Sequence, residues 1–211
     1  MIDVIARRTC PGWEEAERHL ARADPILGDI IARVGPCTLA PRKDYFAALC
    51  HSIISQQIST AAAQTVWERL RRLFPNRRPT AAALLALPPD ILRSAGLSRP
   101  KQSYLRSIAE AFVNGDVPVR RWGTMDDEAI VQSLIPIRGI GRWTAEMFLI
   151  FVLNRTDLLP VDDLGLCTQV RKCYGLKDYP NADVLKRIAE KWRPYRSIAT
   201  WYLWRGALKV R

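Results

Sequence analysis

Two apolar, helix-forming stretches flank the short turn 139–141, and this pattern constrains the fold more than any other part of the sequence. The first stretch, 129–135, carries apolar residues at helical spacing and stops at Pro136. The second stretch, 143–153, contains no glycine. The pattern predicts two helices joined by a tight hairpin, whose glycines allow positive φ and leave the turn amides uncovered.

The turn formed by Gly139, Ile140 and Gly141 is a candidate phosphate-binding site. Its backbone amides, backed by the N-terminus of the second helix, would point at one place in solvent where a phosphate fits. Arg138 and Arg142 flank the turn and add positive charge. The alternative is an ordinary helical hairpin whose glycines only close the turn.

A pair of acidic residues, Asp162 and Asp163, follows Pro160 and precedes another amphipathic segment. Both suit an N-cap or first-turn position, where the helix dipole stabilises a negative charge. A carboxylate held there can in turn stabilise positive charge in a bound molecule. Helix capping alone also explains such a pair, and only the combination with the hairpin favours a functional site.

Helical patterns account for the rest of the chain as well, and no stretch shows the alternation typical of a strand. Prolines and glycines separate the helical stretches. The expected helices cover 13–34 with a break at Asp24-Pro25, 44–73, 80–87, 89–94 and 101–114. The sequence therefore predicts an all-α fold, and it contains no internal repeat.

The charge balance favours a polyanionic partner. The chain of 211 residues has 32 Lys and Arg against 21 Asp and Glu, which gives a formal net charge of +11. Its hydrophobic fraction of 48% is enough for one core or two small subdomains. Because a basic balance can also serve solubility alone, the charge only permits a nucleic-acid partner.

The cysteines do not have metal-binding spacing. They are odd in number and lack a Cys-x-x-Cys pair, which favours buried free thiols in a reducing cytosol over disulfides or a zinc site. Their positions are Cys10, Cys37, Cys50, Cys167 and Cys173. We find no signal peptide and no apolar run long enough to span a membrane, so we expect a cytoplasmic protein without membrane contact.

Four strings of the sequence form a set that covers most of the chain. They are SIISQQIS (52–59), IRGIGRWTAEMF (137–148), LPVDDLGL (159–166) and KWRPYRSIATWYLW (191–204). In content and order the set resembles the helix-hairpin-helix DNA glycosylase superfamily, and within it the 3-methyladenine DNA glycosylase II (AlkA-like) branch.

The resemblance implies two helical lobes with a helix-hairpin-helix motif and an active site in the cleft between the lobes. Residues 42–154 would form a central helical bundle that ends in the hairpin. Residues 1–41 and 155–211 would pack together as a discontinuous second lobe. The resemblance also implies a monomer, in a compact form without the additional N-terminal α/β domain of larger AlkA-type proteins.

The resemblance further implies that the protein flips a base out of double-stranded DNA and hydrolyses its N-glycosidic bond, as in base excision repair. Asp163 aligns with the catalytic aspartate, which stabilises an oxocarbenium-like transition state, and Asp162 would cap or support it. Bifunctional members carry a lysine nucleophile two positions after the second hairpin glycine, where this chain has Trp143. We therefore expect a hydrolase without lyase activity.

Trp143 and Trp204 would line the base pocket, where an electron-rich indole attracts cationic bases such as 3-methyladenine and 7-methylguanine. Met147 stands where some members have tyrosine, which alters the shape expected for the pocket. Packing in the core is the alternative explanation for each tryptophan.

Gln57, with Gln56 beside it, aligns with the side chain that members of the family insert into the gap left by the flipped base. We expect both residues on a helix that begins near Asp44. Without the other strings, two adjacent glutamines would be a solvated or interhelical polar pair.

The carbonyls of Ile135, Ile137 and Ile140 align with those that hold Na⁺ or K⁺ against a DNA phosphate in the family. No other cofactor is expected. Two other functions stay open at this point. One is a non-catalytic helix-hairpin-helix protein that binds DNA structure, and the other is a glycosylase for deaminated or oxidised bases.

Overall fold

A computed structural model describes residues 12–208 of the chain. Within this range there are twelve α-helices and no strand, so the all-α prediction is confirmed. The helices are α1 (Glu14–Ala23), α2 (Pro25–Val34), α3 (Tyr45–Ser55), α4 (Thr60–Arg72), α5 (Ala81–Ala86), α6 (Pro89–Ser94), α7 (Arg99–Asn114), α8 (Asp127–Leu134), α9 (Arg142–Phe151), α10 (Leu164–Cys173), α11 (Ala182–Ala189) and α12 (Arg196–Leu208).

Local sequence signals explain many of the helix ends. Asp24 caps α2 by accepting a hydrogen bond from the amide of Ile26, and it thereby separates α1 from α2 as predicted. Helix α7 begins at Arg99, slightly earlier than predicted, because Pro100 fits the first turn of a helix. The same helix ends at Asn114 and is followed by Gly115, whose φ of 79° is left-handed.

The predicted helix 44–73 is wrong, because the structure breaks it into α3 and α4. Gln56 has extended backbone angles (φ −62°, ψ 131°), and Gln57 has a positive φ of 59°. The Ser59 side chain then accepts a hydrogen bond from the amide of Ala62 and starts α4. The two glutamines therefore lie on a turn, which we call the glutamine turn (residues 56–59), and not on a helix.

The chain divides into two compact units. The first comprises Arg42–Phe148, and the second comprises, within the described range, residues 12–41 and 149–208. The boundary lies inside α9, earlier than the expected position after Asn154. The last turn of α9 belongs to the second unit, where the Phe151 ring stacks on the Trp204 ring of α12.

The first unit is organised around α7, which packs against α3, α5 and α6. Its interior contains a cluster of fully buried aliphatic side chains and a set of aromatic rings. The Trp122 ring meets Tyr45 and Phe148 edge-on, at centroid distances of 5.1 Å for each pair. The buried aliphatic residues include Leu49, Ile53, Leu84, Leu105 and Ile108.

The second unit joins the beginning of the chain to its end, since α2 packs against both α1 and α12. A carboxylate lies at its centre: Asp24 has no exposed surface. Asp24 accepts hydrogen bonds from the Tyr174 hydroxyl and from Trp192 Nε1, the latter at 2.8 Å. The Lys191 ammonium completes the arrangement at 3.2 Å. A buried charge is tolerated here because it is paired and hydrogen-bonded.

The described cysteines are free thiols: Cys37, Cys50 and Cys167 are buried, and Cys173 is half-buried. Burial raises the pKa of the Cys50 thiol well above its ordinary value. Cys10 lies outside the described residues. None of the helices in the described range is long and apolar enough to cross a membrane.

Candidate active site

The hairpin joins α8 to α9 through a turn that depends on one glycine. Gly139 has a φ of 93°, and a Cβ atom there would lie 2.4 Å from Cγ of Tyr104. Gly141 is surrounded by open space and does not have a positive φ, so only Gly139 uses the positive φ that glycine allows. Tyr104 packs against the turn at Gly139, whereas the turn is open at Gly141.

Ile140 does not present its amide to solvent as expected. The side chain of Ile140 is buried, and its amide donates to the carbonyl of Ile137 at 3.0 Å. This hydrogen bond lies within the turn and engages the Ile140 amide. A phosphate at the hairpin would therefore bind to other groups of the turn and not to the Ile140 amide.

The two arginines that flank the turn have different surroundings. Arg142 donates to Glu128 at 2.5 and 3.0 Å and lies 3.7 Å from Glu146. Hydrogen bonds from Arg142 lower the pKa of Glu128 to about 2. Arg138 is exposed, with its guanidinium 6.0 Å from the centroid of the Tyr104 ring. Arg138 is therefore the better placed of the two for a phosphate, because the charge of Arg142 is balanced by acids.

The glutamine turn is attached to the hairpin by Gln56. Its side-chain amide donates to the carbonyl of Gly139 at 3.2 Å and to the hydroxyl of Thr144 at 3.3 Å. Gln57 is exposed. The structure thus separates the two glutamines: Gln56 holds the turn against the hairpin, and Gln57 faces solvent.

Trp143 and Met147 share one face of α9, since they are four positions apart in a helix. The side chain of Trp143 is 47% exposed, so core packing does not explain this tryptophan. Met147 is half-buried. An exposed indole and a flexible thioether on one face are suited to contact a planar, cationic ring.

Asp163 is the N-cap of α10. Its Oδ1 atom accepts a hydrogen bond from the amide of Leu166 at 2.5 Å and another from Trp204 Nε1 at 3.0 Å. The residue is only 6% exposed. Asp162 is exposed and precedes the cap, so the expectation that both aspartates lie at the N-cap or in the first turn is wrong for Asp162. The structure therefore distinguishes the two neighbours, which the sequence spacing cannot.

Trp204 is held in place by a stacked ring. The Phe151 ring lies 5.6 Å from it, with an angle of 20° between the planes. A Cβ atom at Gly165 would lie 3.1 Å from Asp163 Oδ1 and 3.3 Å from Trp204 Nε1. The absence of a side chain at Gly165 therefore keeps the contact between the indole and the carboxylate uncrowded. The sequence pattern alone does not indicate a functional role for Phe151 or Gly165.

The loop before Asp163 is fixed to the first turn of α12. Arg196 Nε donates to Asp157 Oδ1 at 2.7 Å. The buried Ser197 hydroxyl accepts from the amide of Leu158 at 2.9 Å, and the amide of Ser197 donates to the carbonyl of Thr156 at 2.9 Å. These bonds join the segment that leads to Asp163 to the helix that carries Trp204. The sequence gives no local signal for them.

Comparison with known proteins places the chain in a family. The sequence profile of the HhH-GPD superfamily of base excision DNA repair proteins matches residues 50–194. The chain belongs to this superfamily. The resemblance deduced from the four strings is thereby confirmed, and the matched region contains the glutamine turn, the hairpin and Asp163.

Individual relatives cover nearly the whole chain. The chain is 31% identical to the alkylbase DNA glycosidase-like protein mag2 of Schizosaccharomyces pombe, over 91% of this chain and 92% of that protein. It is 33% identical to DNA-3-methyladenine glycosylase 1 of the same yeast, over 90% of this chain and 86% of that protein. A solved structure of the S. pombe 3-methyladenine DNA glycosylase Mag1 with abasic DNA matches with a TM-score of 0.83 and 32% identity, over 93% of this chain and 98% of that one.

Proposed function

We propose that this HhH-GPD protein is a monofunctional DNA glycosylase that hydrolyses the N-glycosidic bond of alkylated bases in double-stranded DNA. The observation that carries the proposal is the buried carboxylate of Asp163, oriented by Trp204 Nε1 at 3.0 Å. Relatives named as 3-methyladenine DNA glycosylases support the substrate class. The proposal includes action as a monomer in the cytoplasm.

The reaction needs negative charge near the sugar. When the bond between C1′ and the base breaks, its electron pair leaves with the base, so a cationic alkylated base departs as a neutral molecule and positive charge develops on the sugar. The Asp163 carboxylate stabilises that charge, and the hydrogen bond from Trp204 fixes its orientation. Water then adds to C1′ and loses a proton, which completes the hydrolysis.

Trp143 supports both the reaction type and the substrate class. Its indole stands at the position that a lysine nucleophile occupies in bifunctional relatives, and an indole cannot form a Schiff base. As an exposed aromatic ring, Trp143 can contribute roughly 0.5 to 2 kcal/mol of attraction to a cationic base. Met147, on the same face of α9, is the second base-contacting residue that we propose in the first unit.

The DNA contacts in this proposal come from the first unit. Gln57 fills the gap left by the flipped base, while Arg138 and the open face of the turn at Gly141 contact a phosphate. The carbonyls of Ile135, Ile137 and Ile140 would hold Na⁺ or K⁺. Ile137 uses one of its two acceptor positions for the amide of Ile140, which leaves the other for a cation.

The variant Asp163→Asn tests the proposal, because the amide oxygen can still accept the bonds from Leu166 and Trp204 while the charge is lost. We expect no release of methylated bases from methylated duplex DNA, with binding to an abasic-site duplex retained. Asp162→Asn is the matched control and should keep at least about a third of the parent rate. Equal base release by Asp163→Asn and the parent would overturn the mechanism.

Experiments on the parent protein also distinguish the competing functions. Borohydride should trap no covalent adduct with DNA, and a trapped adduct would contradict the assignment as a simple hydrolase. Release of uracil or hypoxanthine alone would indicate a different substrate class. Binding to DNA without release of any base would indicate a non-catalytic DNA-binding protein.

A further inference from the structure

Lys101, near the start of α7, binds the end of a different helix. Its Nζ atom donates to the carbonyl of Ile54 at 2.6 Å and to the carbonyl of Gln56 at 2.8 Å. Helix α3 ends at Ser55, so these carbonyls belong to the end of that helix and to the first residue of the glutamine turn. Carbonyls at a helix C-terminus lack partners within the helix, and a positive charge there also interacts favourably with the helix dipole.

The glutamine turn needs such support because its backbone is unusual. Gln57 has a φ of 59°, a left-handed conformation that residues other than glycine adopt rarely. The turn also exposes apolar surface, since the side chain of Ile58 is 40% exposed. The intrinsic preferences of the sequence therefore do not hold Gln57 in place, and contacts from other parts of the unit must do so.

Side-chain hydrogen bonds from two residues, both in the first unit, hold the turn. Lys101 binds the main chain of the turn from α7, and the Gln56 side chain binds Gly139 and Thr144 of the hairpin. The two acceptors of Lys101 are main-chain carbonyls, so the ammonium group is engaged within the protein. Partial burial lowers the pKa of Lys101, which is consistent with an amine drawn away from water.

We propose that Lys101 is a positioning residue for base extrusion: by binding the carbonyls of Ile54 and Gln56, it presents Gln57 to the DNA duplex. The inference rests on the proposed function, because a wedge residue acts only when a base leaves a stacked duplex. Lys101 itself touches neither the base nor the reacting sugar. Its effect should therefore depend on whether the substrate is paired.

The main experiment compares Lys101→Met with the parent on two substrates that contain the same methylated base, one double-stranded and one single-stranded. Methionine keeps most of the length of the side chain and removes the donor group. We expect single-turnover release from the duplex to fall by about ten- to hundredfold, and release from the single strand to change by less than about threefold. The control is Lys186→Met, which removes one positive charge from the exposed face of α11.

A double-mutant cycle with Gln57→Ala tests whether Lys101 acts through the turn. If it does, the double variant should be no slower on duplex DNA than the slower single variant. Additive losses would overturn the proposal, because they would place Lys101 in a separate contact. Equal losses on both substrates, or an unchanged duplex rate, would overturn it as well. Lys101→Gln can still donate to one carbonyl, so its rate of base release from duplex DNA should lie between those of the parent and Lys101→Met. This variant replaces Lys101→Met in the experiment if the methionine variant does not fold.

A measurement without substrate separates this inference from the proposed function. In Lys101→Met, hydrogen exchange should become faster in a peptide that spans residues 54–60, while a peptide from the hairpin at 137–144 exchanges as in the parent. Unchanged exchange at 54–60 would overturn the positioning role whatever the activity. If the parent releases no base from any substrate, the proposed function fails, and faster exchange at 54–60 still supports the role of Lys101 in holding the turn.

Discussion

Trp204 Nε1 donates a hydrogen bond to Asp163 Oδ1 across 3.0 Å, although Asp163 caps α10 and Trp204 lies on α12 of the second unit. The indole cannot move freely, because it stacks on Phe151. The same carboxylate oxygen also accepts a hydrogen bond from the amide of Leu166. Asp163 is thus held by a helix end and by an aromatic ring, which gives the carboxylate one orientation before any substrate binds.

The variant Trp204→Phe should slow base release while it preserves the fold. Phenylalanine keeps a ring that can stack on Phe151, but it removes the only N–H of the side chain. Losing one charge-assisted hydrogen bond of about 1.5 to 3 kcal/mol corresponds to a loss of roughly ten- to hundredfold in kcat. Single-turnover rates on methylated duplex DNA measure the effect, and thermal unfolding serves as the control. An unchanged rate would show that the indole does not orient the carboxylate.

The variant Trp143→Ala should change selectivity more than overall activity. The indole attracts a cationic base by roughly 0.5 to 2 kcal/mol, so the rate for 7-methylguanine should fall by about two- to thirtyfold relative to a neutral base such as hypoxanthine. The measurement is the ratio of the two release rates in the variant and in the parent. If both rates fall by the same factor, Trp143 contributes shape and not charge recognition.

The variant Gly139→Ala should destabilise the first unit. The added Cβ would lie 2.4 Å from Cγ and 2.7 Å from Cβ of Tyr104, and alanine disfavours a φ of 93°. Overpacking and the left-handed backbone together should cost about 3 kcal/mol in free energy of unfolding, measured with urea. Gly141→Ala is the matched control, because nothing lies near its Cβ position, and it should change stability by less than about 1 kcal/mol.

Stability should depend on pH through Asp24. Burial alone would raise the pKa of this carboxyl, but hydrogen bonds from Tyr174 and Trp192 and the charge of Lys191 outweigh burial and lower it below its ordinary value of 3.8. The ionised form therefore stabilises the folded state. This contribution is fully present above the ordinary pKa and is lost as the pH falls through the folded-state pKa.

The corresponding variant is Asp24→Asn. It should lose about 3 kcal/mol of unfolding free energy near pH 7, because it removes one partner of a buried ionic network. Urea unfolding at pH 7 and at pH 3 measures the effect: the free energy of unfolding should differ less between these two pH values in the variant than in the parent. Identical pH dependence in both proteins would mean that Asp24 does not contribute its charge to folding.

Features encoded by neighbouring residues could be predicted from the sequence. The break between α1 and α2 at Asp24-Pro25 follows from a capping side chain next to a proline, and α6 (Pro89–Ser94) was predicted with its observed bounds. The N-cap position of Asp163 followed in the same way, since an acidic residue preceded an amphipathic segment. In these cases a few adjacent residues decide the structure.

Features that depend on distant residues could not be predicted. The glutamine turn contains neither proline nor glycine, and it is stabilised by Lys101, which is far away in the sequence. The absence of a Cβ atom at Gly139 becomes necessary only when Tyr104, which is distant in the sequence, packs against it. The hydrogen bond from Arg196 to Asp157 likewise joins two segments whose sequences give no sign that they are in contact. Tertiary contacts determined these details, and sequence periodicity does not contain them.

Asp163 is at once the proposed catalytic group and the cap of α10, and this double use bears on how such proteins diverge after gene duplication. A copy that stops excising bases would still gain stability from aspartate at this position, because the amide of Leu166 needs an acceptor. Natural selection for folding alone could therefore preserve the acid. The Trp204 indole does not cap a helix. Its loss should therefore precede the loss of Asp163 in a paralogue that no longer releases bases from DNA.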